Sequence, residues 1–129
     1  MDDNNLDNIR TPRYTQISTF MRLPYNDYRN STTLNEIDIG LIGIPFDGGV
    51  TNRAGARHGP REIRNQSSLM RGYHHVTRVN PFDLASIADV GDVILSEQYN
   101  HQAVINDITH FFRQIKKAGV IPLSAGGDH

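Results

Sequence analysis

No cysteine occurs among the 129 residues, which excludes disulfides, thiolate catalysis and cysteine-based zinc sites and fits a reducing compartment. An excess of one charge is lacking too: 13 Lys and Arg stand against 14 Asp and Glu, a net charge of -1. So even a balance gives no electrostatic basis for nucleic acid or membrane partners. No apolar run approaches the roughly 18 residues a membrane span needs. The opening MDDNNLDNIR is acidic and polar, without the cationic-then-apolar order of a signal peptide. The expected location is cytoplasmic. Repeats and low-complexity tracts are also missing. What remains is a chain long enough for one ordinary domain with a real core.

Residues 1–33 are polar and show no sustained period, and are expected to form an arm ahead of an α/β unit over 34–129. Ile17-Ser18-Thr19-Phe20-Met21 and Leu23-Pro24-Tyr25 read as anchors that dock on the body or on a neighbouring subunit. A disordered leader is the competing reading. Order starts at Glu36. The β-branched run Ile37–Ile44, ended by Pro45, reads as a buried strand. A glycine- and arginine-rich loop over 48–59 follows, and Pro60 opens a short helix expected over 61–71. A second strand is placed near Ser86–Val90 and closed by Gly91-Asp92. The best-defined element is a helix from His101 to Ala118, capped by Asn100 and stopped by Gly119. Its apolar face comprises Val104, Ile108, Phe111, Phe112, Ile115 and Ala118. A third strand over Val120–Leu123 completes the alternation of a parallel α/β sheet.

The third strand runs into Gly126-Gly127-Asp128-His129. Two glycines let a backbone turn sharply, and ligands in such folds collect at the carboxyl ends of strands. His129 is therefore the leading metal-ligand candidate. Asp128 alternates with it on extended backbone, points the other way, and suits a supporting or backbone-capping role. In the 48–64 segment Arg53, Arg57, Arg61 and Arg64, with His58, face one acid, Glu62. They fit an anion cradle, or more simply pairing with acids elsewhere in the chain. The phosphate-loop signatures are absent, and the GLIG stretch lies inside a strand. Asp89 and Asp92 could hold a hard cation, but turn formation is the expected role. His74, His75, His101 and His110 are assigned no ligand role.

Four strings in order, GIPFDGGVTNRAGARHGPREIR (43–64), NPFD (80–83), ADVGDV (88–93) and PLSAGGDH (122–129), resemble the amino-terminal part of a ureohydrolase of the arginase/agmatinase family. The arm's STFMRLPY and the NRAGARHGPREIRNQSSLMR segment are similar to its guanidinobutyrase and guanidinopropionase branch. The resemblance implies a three-layer α/β/α sandwich around a parallel sheet, incomplete here. It implies hydrolysis of a guanidino compound to urea and an amine, two Mn²⁺ ions at the strand ends, and trimers or hexamers. Two such metals lower the pKa of a bridging water, making hydroxide available near neutral pH. On this pattern His129 ligates one metal. The family's DAHxD and SxDxDxxDP segments, which supply the other ligands, lie outside these residues. One imidazole cannot hold Mn²⁺, the weakest binder in the divalent series. The chain alone is therefore expected to be inactive, to bind no metal pair and to fold poorly because of an open sheet edge. No catalytic residue is assigned, and Arg53 and Arg57 are weak candidates for substrate binding. The competing readings are a non-catalytic interaction module derived from a ureohydrolase and a phosphate-binding α/β domain.

Overall fold

The computed structural model describes residues 11–128. Three parallel strands form one sheet in the order β2-β1-β3: β1 is Ile39–Ile44, β2 is Ile87–Asp92 and β3 is Ile121–Gly126. The helices are α1 (Ser31–Leu34), α2 (Gly59–Ser67) and α3 (His101–Lys117). The architecture is the α/β/α arrangement expected, with fewer strands than a complete sandwich.

The run IGLIGI makes the central strand because it is apolar on both faces, as a parallel strand covered from both sides must be. On one face Ile42, Val90 and Val120 pack with Phe111 and Ile115 of α3, and Ile42, Val90 and Ile115 are completely enclosed. Burying each such side chain contributes roughly 1.5–3 kcal/mol. On the other face Leu41 packs against Phe20 and Leu23 from the arm. The chain therefore uses its arm as core. Ile17 and Tyr25, expected as anchors, stay exposed at 89% and 60%.

Backbone pairing reinforces this docking. Tyr25 bridges in parallel beside Asp89, where the Asp89 amide donates to the Pro24 carbonyl at 3.0 Å and the Asn26 amide to the Asp89 carbonyl at 2.8 Å. The arm so covers the outer edge of β2, the usual remedy for unpaired strand groups. At the opposite edge, β3 has no further partner strand among the described residues, and Ile121 and Leu123 are more than half exposed.

Helix α3 follows its sequence signals. The Asn100 side chain accepts from the Gln102 and Ala103 amides, and Gly119 adopts φ 77° just past the end. Val104, Phe111 and Ile115 are buried, with Ile108, Phe112 and Ala118 partly so. Helix α2 differs from expectation. It starts at Gly59 and ends at Ser67, four residues short of Arg71. The turn beyond it tightens, with the Leu69 and Met70 amides donating to carbonyls three residues back. Strand β3 extends three residues past Leu123, to Gly126, because its register with β1 holds as far as the Ile44–Gly126 pair.

Strand β2 carries one irregularity. Leu41 pairs with Asp89, but Gly43 pairs with Asp92, so β2 holds one extra residue against β1. The bulge is at Gly91, whose φ of 92° suits glycine.

Candidate active site at the strand ends

Strand β1 lies between β2 and β3, so the connection from β1 to β2 and the next one, from β2 back to β3, run in opposite directions. That is the switch point of an open parallel sheet, where a crevice forms beyond the carboxyl ends. Here it lies between the end of β1, running into Pro45-Phe46-Asp47, and the end of β3, running into Gly127-Asp128. The Asp128 amide donates to the Phe46 carbonyl at 2.6 Å. Gly127 lies against the Ile44 and Phe46 backbone so closely that a Cβ would fall 2.6 Å from the Ile44 carbonyl oxygen. Only glycine lets the two strand ends meet this way. The Asp128 carboxylate sits against Gly49 of the loop. His129, the candidate metal ligand, follows directly and lies outside the described residues.

The loop over 48–58 is organised by Asp47. This carboxylate is buried and accepts from the Gly55 amide at 2.7 Å, the Arg57 amide at 3.3 Å and Arg57 Nε at 2.8 Å, with Arg57 Nη2 at 2.7 Å. The Arg57 guanidinium first, then the Gly55 amide, hold its pKa down at about 2. At the other end of the loop His101 Nε2 lies 3.1 Å from the Gly48 carbonyl, and its ring meets Phe46 edge-on. The sequence reading missed both clamps. An acid at a strand end followed by Gly and Arg eight and ten residues later was the available signal for Asp47. His101 showed none, because only the fold brings the first turn of α3 to residue 48.

The arginine segment divides. Arg57 and Arg64 pair with acids elsewhere, the simpler of the two expectations. Arg64 Nε and Nη2 donate to the two oxygens of Asp89 at 2.8 and 3.1 Å, and Nη1 donates to Asp92 at 2.8 Å. Although burial works against its charge, these carboxylates raise the Arg64 pKa. Arg53 is exposed in the middle of the loop. The engagement of Arg57 makes Arg53 the better placed of the two substrate-binding candidates. Asp89 accepts from the Gly91 amide at 3.0 Å, the local turn contact expected of it, and both Asp89 and Asp92 are also ion-paired to Arg64. His74 and His75 are exposed, with rings stacked at 5.6 Å.

A concavity of about 1060 Å³ opens elsewhere, between the arm and α2, lined by Ile17, Tyr25, Arg61, Asn65 and Asp92. It is away from the switch point, and the buried acid on its wall, Asp89, is already saturated by Arg64, Phe20 and Gly91. The strand ends are the stronger candidate. No group of three metal-capable side chains converges among the described residues.

Comparison with known proteins agrees with this geometry. The profile described as "Arginase family" matches residues 37–129. The chain is 50% identical over 124 residues to guanidinopropionase of Pseudomonas aeruginosa, covering 96% of this chain and 37% of that protein. It is 38% identical over 118 residues to guanidinobutyrase of the same organism, covering 92% and 36%. Among solved structures, proclavaminate amidino hydrolase from Streptomyces clavuligerus superimposes with a TM-score of 0.83 at 37% identity, over 92% of this chain and 38% of that one. The chain thus spans a little over a third of the length of the relatives it matches. With residues 37–129 matched to the family model and the fold shared with a solved relative, the chain belongs to the arginase family.

Proposed function

We propose that this chain supplies the first strands and one wall of the active site of a ureohydrolase acting on a guanidino acid such as 3-guanidinopropionate or 4-guanidinobutyrate, with agmatine as the alternative substrate. Water adds to the guanidinium carbon, the bond to the alkyl nitrogen breaks, and urea and an amine leave. The observation that carries the reading is the 50% identity to a relative named guanidinopropionase, over 96% of this chain. His129 is the donor this reading gives to a divalent metal, Mn²⁺, with the remaining donors supplied by the rest of the complete protein. The 129 residues alone are inactive on this account, and the complete protein is a cytoplasmic homo-oligomer, a trimer or hexamer.

The test is urea release by the complete protein from 3-guanidinopropionate, 4-guanidinobutyrate and agmatine, after chelation and after adding Mn²⁺ back. Metal-restored hydrolysis with a guanidino acid preferred is the expected result. Absence of urea from all three substrates with metal present sinks the reading.

A further inference from the structure

The crevice is held at a distance by a residue that does not line it. Helix α2 lies across the carboxyl ends of all three strands. At its start, Gly59 rests on β3: a Cβ there would fall 2.8 Å from the Gly126 carbonyl oxygen. Next to it, Pro60 is fully buried, and a Cβ added at Gly43 of β1 would lie 2.9 Å from the Pro60 ring. Farther along, Arg64 binds Asp89 and Asp92 at the end of β2. One guanidinium and one turn of helix thus tie β2 to the ends of β1 and β3.

The same guanidinium also ties in the arm. It stacks over the Phe20 ring at 4.2 Å, while the Phe20 amide donates to Asp89 at 3.0 Å and the Met21 amide to Ser67 Oγ at 2.8 Å. The 48–58 loop runs directly into α2 at Gly59. A shift of the helix axis must therefore move the loop and the strand end together. Five residues of helix span only about 7.5 Å, too short and stiff to absorb the change internally.

We infer that Arg64 is a positioning residue for this site: through α2 it sets the placement of the 48–58 loop and of Gly126-Gly127, without touching substrate. The inference rests on the strand-end reading of the active site. It predicts a local response, because α3 packs on the opposite face of the sheet and shares none of these contacts.

The experiment compares Arg64→Met and Arg64→Lys with wild type in the complete protein, by amide hydrogen exchange and by steady-state kinetics with 3-guanidinopropionate. Arg64→Met is expected to speed exchange at least tenfold over 53–60 and 124–128, while 104–115 in α3 keeps its protection. In the kinetics KM should rise more than kcat falls. Lysine keeps the charge but not the forked geometry, and should restore part of both. If Arg64→Met does not fold, Arg64→Lys carries the comparison at reduced amplitude. Uniform acceleration that includes α3, or unchanged exchange over 124–128, overturns the inference. A wild-type protein that releases no urea overturns the hydrolase reading instead, and the exchange data then decide the positioning role separately.

Discussion

Asp89 and Asp92 present their carboxylates to the same side of β2, although they stand three residues apart on one strand. Regular alternation sends such a pair to opposite faces. The bulge at Gly91 inserts the residue that restores the phase, so Asp89 pairs with Leu41 and Asp92 with Gly43, both on the face covered by α2. Arg64 can then engage both acids with one side chain.

The two acids should therefore differ sharply in what they contribute. Asp89 is 1% exposed, whereas the Asp92 side chain is 41% exposed. Removing Arg64 strands Asp89 in the interior, and Arg64→Met is expected to cost about 3–5 kcal/mol, the usual penalty for breaking a buried pair. Asp92→Asn should cost no more than about 1 kcal/mol. Amide hydrogen exchange over 87–92 in the complete protein reads both, and equal losses would contradict the assignment.

Asp47 gives the loop a pH dependence whose sign follows from its lowered pKa. A carboxylate held at about 2 in the folded state, against 3.8 ordinarily, stabilises the loop fully above the ordinary value. That contribution fades as pH falls from about 4 toward 2. At neutral pH, Asp47→Asn keeps the shape and loses the charge, and trypsin should then cut after Arg53 or Arg57 about tenfold faster. Unaltered cleavage at both sites would remove Asp47 from its organising role.

Arg53 is the candidate for discriminating acids from amines among substrates. In the complete protein Arg53→Ala should raise KM for 3-guanidinopropionate severalfold and leave agmatine unaffected. Arg57→Ala should instead damage both substrates alike, because it breaks the Asp47 clamp. Equal effects of Arg53→Ala on acid and amine would dispose of a carboxylate-binding role.

Helix α3 begins beside the crevice, because His101 directly follows its cap and meets the Gly48 carbonyl. Asn100→Ala removes the acceptor for two first-turn amides and should cost about 1 kcal/mol. Thermal unfolding should show that loss, and KM should rise modestly as the turn carrying His101 loosens.

The 129-residue chain expressed alone is expected to release no urea from any guanidino compound, with or without Mn²⁺. The described residues bring no three metal-capable side chains together, and β3 leaves Ile121 and Leu123 exposed at an open edge. Metal-dependent urea release from this purified chain would refute the expectation.

Local signals along the chain set these elements: the unbroken apolar run of β1, the Asn100 cap and Gly119 stop of α3, and the glycine pair ending β3. Each depends on near neighbours, through backbone sterics, capping or burial periodicity, and so could be read one segment at a time. Tertiary structure alone decided that the arm supplies Phe20 and Leu23 to the core, that His101 clamps residue 48, and that Arg64 spans both acids of β2. Those outcomes depend on residues 20 to 70 positions apart meeting in space. One of them also depends on a single-residue bulge that reverses the direction of a side chain, and alternation in the sequence carries no mark of it.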